Sequence, residues 1–188
     1  MSIKVYIDQG HNPRGFNTGA EGNGFYEQDI TYEVGNRLYD YLAANPAFEP
    51  RLSRPRPDTV LGSNNSSSLS ARVREANAWG ADVFVSIHTN ASNNPSAGGS
   101  EVLVYRTEGV AYELAEDILR EMTAVTGLRS RGVIARPGLY VLRRTNMPAV
   151  LVEMGFITNQ YEAELMAYSP ELFALGIYRG MLDYYGLN

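Results

Sequence analysis

Short apolar runs and longer stretches with a single apolar face alternate along most of the chain. Ile3 to Ile7 is a mostly apolar run of the kind that a parallel sheet buries. Gly10 to Gly24 is rich in Gly, Asn and Pro. It predicts a long loop, and long loops inside compact domains are often functional. Ile30, Val34, Leu38, Tyr41 and Leu42 then recur at helical spacing, with Asp29 as the expected N-cap and Asn45-Pro46 as the stop. Phe48 to Ser53 reads as a strand that Pro50 confines to a sheet edge. Arg54 to Ser68 is polar, carries Pro55, Pro57 and Gly62, and predicts a surface loop. Leu69, Val73 and Ala76 mark a helix ending at Gly80. Val83 to His88 is a second apolar strand, followed by a polar loop from Asn90 to Gly99.

The second half repeats the alternation. Ser100 to Tyr105 predicts a strand, and Val110, Leu114, Ile118, Leu119 and Met122 predict a helix that stops near Gly127. Leu139 to Leu142 reads as a short strand, and Pro148 to Glu153 as a buried strand ending in a carboxylate. Asn159 with Glu162 resembles a capping box, and Ser169-Pro170 opens a last helix whose inward face is Phe173, Ile177, Met181 and Tyr184. Strands alternating with helices predict an α/β fold: a mostly parallel twisted sheet with helices on both faces. With no internal repeat or linker, residues 1–188 are expected to form a single domain with no appended binding module.

Charge and cysteine content narrow the chemistry. A net charge of −5 and a pI of about 5.1 argue against nucleic acid or an anionic membrane as the main partner. No apolar run approaches the roughly 18 residues of a membrane span. Cysteine is absent, which excludes disulfides and thiolate metal sites. Any tightly held transition metal must therefore use His and carboxylate. Met1-Ser2-Ile3-Lys4 leads straight into the first strand without the pattern of a signal peptide. That fits a chain made without a signal or one that begins after it.

The chain has only two histidines, and both follow apolar strands: His11 after Val5 to Ile7, and His88 at the end of Val83 to His88. Ligands gather at the C-terminal edge of parallel strands. Glu153 ends a third such strand, and Glu27 stands at the mouth of the first helix. Two imidazoles and one carboxylate make a three-ligand catalytic zinc site. The two glutamates compete for the places of third ligand and general base. Each residue also has a blander account. A strand-end His can be structural, and Glu27 can simply favour a helix dipole. Glu153 is harder to explain that way, since a carboxylate ending a buried strand needs a partner or a cleft. Asp8 and Asn90 are candidates to orient the imidazoles, Arg72 and Asn77 fall on the helix before His88, and Arg143 and Arg144 lie near the expected cleft edge.

Four blocks, taken in order, resemble the zinc-dependent N-acetylmuramoyl-L-alanine amidases of the amidase-3 type, over nearly the whole length. Val5 to His11 resembles the family's strand ending in Asp-x-Gly-His. Gly19-Ala20 and Glu27-Gln28-Asp29-Ile30 resemble its second block, and Arg72, Ala76-Asn77, Ala81-Asp82 and Ser86 to Ala91 its central one. Met147 to Asn159 resembles the closing block. The resemblance implies one zinc per chain on His11, Glu27 and His88, with Glu153 as the catalytic carboxylate. It implies hydrolysis of the amide between N-acetylmuramic acid and L-alanine in peptidoglycan, by a monomer acting on the bacterial cell wall.

Gln9-Gly10-His11-Asn12 departs from the family, which commonly has Gly after this His. That touches the outline of the cleft and no ligand. Two other readings share the zinc ligands: a carboxypeptidase-like zinc peptidase and a non-catalytic peptidoglycan-binding module. The block Glu153 to Phe156 favours the amidase over the first, and the intact ligand set with Glu153 speaks against the second. Some members of the family plug the cleft with an inserted helix. Neither Arg54 to Ser68 nor Asn90 to Gly99 has the apolar stripe such a helix needs.

Overall fold

A computed structural model describes residues 2–188. One six-stranded sheet organises the chain, built from β1 (Ile3–Gln9), β4 (Phe48–Leu52), β5 (Val83–Asn90), β6 (Ser100–Val104), β7 (Ser130–Ala135) and β8 (Ala149–Phe156). The spatial order is β4-β1-β5-β8-β6-β7. All neighbours pair parallel except β6 with β8, which pair antiparallel. The mostly parallel α/β expectation holds. β4, with Pro50, is an edge strand as read. The chain between β1 and β4 holds a two-residue hairpin, β2 (Glu21–Gly22) and β3 (Phe25–Tyr26), and then helix α1 (Glu27–Ala43).

The two sheet faces are covered unequally. Alternation along each strand sends Val5, Ile7, Val85, Ile87, Val150 and Val152 to one side. There they meet α1, α3 (Val110–Thr126), α5 (Gln160–Tyr168) and α6 (Pro170–Tyr185) in the main core. Tyr6, Phe84, Leu103 and Leu151 point the other way, against only α2 (Asn65–Trp79) and the five-residue α4 (Tyr140–Arg144). Asp8, Ser86, His88, Glu101 and Glu153 share this second face by the same alternation. Ser86 and Leu151 are buried beneath the short helices, while His88 and Glu153, two residues further along, are only partly covered. A cleft opens where the thin helical layer stops.

Several elements differ from the sequence reading. Tyr140 to Leu142 belong to helix α4, with Leu139 as its N-cap, rather than to a strand. So short an apolar run carries no period, and Val141 and Leu142 bury themselves by turning toward the second core. β7 was not expected, because Ser130 to Ala135 is a half-exposed edge strand interrupted by Gly132. β8 runs three residues past Glu153, so this carboxylate lies within the strand and not at its end. α1 starts two residues before Asp29, with no side-chain cap on Tyr26. Asn159 caps α5 by accepting from the Glu162 backbone N–H. The Glu162 carboxylate does not complete the box; it accepts from the backbone N–H groups of Gly99 and Phe156. Between β4 and α2, and between β5 and β6, the described residues contain no inserted helix. Among them, too, no helix is long and apolar enough to cross a membrane.

Candidate active site

The site begins at Gly10, where β1 leaves the sheet. The Gly10 N–H donates to the Ile87 carbonyl at 3.0 Å. A Cβ at this position would lie 2.5 Å from that oxygen and 2.7 Å from Cε1 of His88. Only glycine lets the chain pass so close to the second histidine. His11 then turns into the left-handed region, with φ of 69°. Such a conformation costs a non-glycine residue about 1–3 kcal/mol and persists where its surroundings over-determine it. Two arginines do so here. Arg72 Nη2 donates to the His11 carbonyl at 2.6 Å, and Arg54 Nη1 approaches the same oxygen at 3.4 Å.

Arg72 is 1% exposed. Its Nη1 donates to Asp8 Oδ1 at 2.6 Å and to the Gln9 carbonyl at 2.7 Å. The other Asp8 oxygen accepts from Ser86 Oγ at 2.8 Å. Burial works to raise the Asp8 pKa, but the charge and hydrogen bond of Arg72 outweigh it and hold the carboxyl below its usual range. Arg54, also 1% exposed, donates to the Gln28 carbonyl at 2.9 Å, and its guanidinium lies over the Tyr32 ring. Burial, helped by the nearby Arg72 charge, lowers its pKa to about 10.

Glu27, the first residue of α1, brings the two histidines together. Its Oε1 lies 3.1 Å from His11 Nε2 and 3.0 Å from His88 Nδ1, and accepts from the Thr89 N–H at 2.9 Å. Its Oε2 accepts from the Ala20 N–H at 2.8 Å. A Cβ on Gly19 would sit 2.6 Å from the Glu27 Cβ, so the loop needs glycine to reach this contact. Burial pushes the Glu27 pKa up, but the bonds and charges of the two imidazoles drive it far below the carboxylate range. His11 Nδ1 faces the Asn17 carbonyl at 3.3 Å. A metal on Nε2 would leave the proton on Nδ1, where it can donate to this carbonyl. His11, Glu27 and His88 each offer one ligand atom, and these atoms lie within 4.8 Å of one another. The group can hold a metal ion.

Glu153 stands beside this triad, paired in register with His88 across β5 and β8. Its pKa is pushed up to about 8, first by burial and then by the charges of Glu27 and Glu101. Glu153 Oε2 is buried with no hydrogen-bond partner among the described residues. Glu101 lies directly opposite it on β6, but both Glu101 oxygens are engaged: Asn90 Nδ2 donates at 3.1 Å and Arg131 Nε at 2.8 Å. Two carboxylates thus face each other across the strands, one compensated and one not. The uncompensated one holds a proton more tightly.

A family model described as N-acetylmuramoyl-L-alanine amidase matches residues 5–183. The chain belongs to this amidase family. It is 37% identical over 185 residues to the N-acetylmuramoyl-L-alanine amidase LytC of Bacillus subtilis, covering 96% of this chain and 35% of that protein. With the N-acetylmuramoyl-L-alanine amidase CwlM of Bacillus licheniformis it shares 36% identity over 180 residues, covering 95% of this chain and 65% of that protein. The chain therefore spans about a third of the first relative and just under two thirds of the second. Its fold is similar to the catalytic domain of CwlV, an N-acetylmuramoyl-L-alanine amidase from Bacillus (Paenibacillus) polymyxa var. colistinus. The TM-score is 0.86 at 30% identity, with 99% of each chain covered.

Within this amidase fold, the residues singled out from sequence separate into two groups. His11, Glu27 and His88 converge, with Glu153 alongside. Asp8 and Asn90 do not orient the imidazoles: Asp8 serves Arg72 and Ser86, and Asn90 serves Glu101. Asn77 is structural, joining the Arg144 carbonyl and the Asn146 N–H just after α4. Arg143 lies by Tyr105 and Met147, in a surface pocket that shares no residue with the triad. Arg54 was read as part of a surface loop and is buried behind His11 instead. The partner of the His11 ring is a backbone carbonyl, which leaves no mark in a sequence. Glu101 and Arg131 also went unnoticed. A charged residue inside the apolar run Ser100 to Val104 was the available signal for the first.

Proposed function

We propose that this chain hydrolyses the amide between N-acetylmuramic acid and L-alanine in peptidoglycan, using one zinc ion on His11, Glu27 and His88. Family membership supports the reaction. The observation that carries it is the convergence of His11 Nε2, His88 Nδ1 and Glu27 Oε1 beside an uncompensated Glu153. The donor set fits the metal. Imidazole with carboxylate suits borderline zinc better than a hard cation. Ligand atoms around one tetrahedral zinc lie on the order of 3.3 Å apart, close to the 3.1 and 3.0 Å separations of the two nitrogens from Glu27 Oε1. When bound, zinc supplies Lewis acidity toward the scissile carbonyl and acidifies water.

The chain's own residues do the rest. Glu153 accepts a proton from the attacking water and passes it to the departing amine nitrogen of alanine. A carboxyl whose proton affinity is raised toward neutrality suits both halves of that transfer. The Asn17 carbonyl fixes the His11 tautomer, and Arg72 with Arg54 fixes its backbone. The site of action is the cell wall, and the chain works there as a monomer.

The test compares three variants for zinc content and for release of new alanine amino termini from purified wall. Glu153→Ala should keep zinc and lose nearly all activity; Glu27→Ala and His88→Ala should lose both. Zinc retained in full by His88→Ala would defeat the ligand assignment. An empty site in Glu153→Ala with a filled one in Glu27→Ala would exchange the roles of the two glutamates. Release of free C-terminal amino acids instead of alanine amino termini would make the enzyme a peptidase.

A further inference from the structure

A blind cavity of about 110 Å3 opens beside the triad. It is lined by His11, Asn17 and His88, by Leu69 of α2, and by Leu139 and Tyr140 at the start of α4. Val141 and Leu151 lie deeper and are buried. Asp8 and Arg72 also line it, paired to each other. Six of its lining residues, the two histidines among them, are only half-buried, so the cavity is not sealed from the cleft. At roughly 30 Å3 for a water-sized group, the volume holds three or four such groups and no sugar ring. The accessible surface of the cavity is mostly apolar, and the Asp8 oxygens are already bonded. The chemistry asks for a small alkyl group within reach of the metal ligands.

The substrate of the proposed reaction has two such groups. The scissile amide is flanked by the methyl of the lactyl ether on one side and the methyl of alanine on the other. We infer that this cavity is the subsite for a methyl group flanking the scissile amide, and that Leu69 and Leu139 set its size. The inference rests on the amidase reading. It assigns to α4 the task of gauging the substrate beside the bond to be cut. A hydrophobic pocket discriminates one methylene by a factor of roughly 10–200.

The experiment uses the full chain loaded with zinc, and the variants Leu69→Ala and Leu139→Ala. Both residues are half-buried at the mouth, so their truncation leaves the main core intact. Zinc content and circular dichroism are checked first. kcat/KM is then measured on synthetic muramyl peptides of three kinds: the L-alanine substrate, an L-phenylalanine analogue whose side chain exceeds the cavity volume, and an analogue whose ether lacks the lactyl methyl. The unaltered chain should prefer alanine over phenylalanine, or lactyl over the demethylated ether, by roughly 10-fold or more. The two variants should shrink that same ratio by roughly 10-fold, with phenylalanine gaining if the methyl is alanine's. A collapse confined to the ether arm assigns the cavity to the lactyl methyl. If both ratios stay within about twofold in both variants while the L-alanine substrate is still cleaved, the cavity is no subsite and the amidase reading stands. If the unaltered zinc-loaded chain cleaves no muramyl-alanine amide, the amidase reading falls and takes the subsite with it.

Discussion

Replacing Arg72 by Met keeps the length of the side chain and removes its charge and donors. Asp8, 1% exposed, would keep only its bond from Ser86. The Gln9 and His11 carbonyls would lose donors at 2.7 and 2.6 Å. Breaking one side of a buried ion pair costs about 3–5 kcal/mol. The carbonyl losses overlap with this figure and are not added to it. Against a total stability of about 5–15 kcal/mol, the loss is large. For a chain of this size, each kcal/mol shifts Tm by about 2–4 °C, so a fall of roughly 6–20 °C follows.

The assay is urea unfolding of metal-free protein at pH 7, with the m value confirming an unchanged extent of unfolding. Asp8→Ala/Arg72→Met should be more stable than Arg72→Met alone, because no unpaired charge remains. The pH dependence supplies a second check. The Asp8 pKa is depressed in the folded chain, so its contribution is complete above the unfolded value and disappears as pH falls through the folded one. Arg72→Met should flatten that acid limb. A single variant within about 1 kcal/mol of the parent, or a double variant that loses the plain sum of both singles, would refute the reasoning.

Two further outcomes are expected. Glu153 has a folded pKa of about 8, so between its ordinary carboxylate value and pH 8 the unfolded chain holds fewer protons. Stability of the metal-free protein from this group therefore falls as pH rises through that window, and Glu153→Gln should remove the slope. Equal pH slopes in a thermal melt of both proteins would contradict it. The segment between β4 and α2 carries no inserted helix, so the purified zinc-loaded chain should degrade isolated peptidoglycan with no partner protein. Activity that emerged only after deletion within Arg54 to Ser68 would show an internal block.

The sheet and the two histidines were legible for the same reason. Val5 to Ile7 is apolar throughout and Val83 to Ile87 is broken only by Ser86, and each run is followed within four residues by a histidine. The roles of Glu27 and Glu153 were not legible from residue types, because both carboxylates belong near an imidazole pair. Only the resemblance ordered them. Asp29 looked like a cap because capping signals are local. Glu27 instead starts the helix, since its side chain is fixed from a distance by His11, His88 and the Thr89 N–H. Arg54 sat among prolines and polar residues, where nothing marked it for burial. Its place depends on the carbonyls of His11 and Gln28, which composition does not reveal.

The unequal cover of the sheet divides the chain into parts that can change at different rates. The strands are anchored from behind by α1, α3 and α6, whose apolar side chains pack in the main core. In front, α4 is five residues long, and the Ser92 to Gly99 loop is mostly polar. Exchanging either segment for one of different length or shape would leave the rear core untouched. A lineage, or an engineer, could therefore alter what the cleft admits without rebuilding the frame that keeps His11, Glu27 and His88 in place.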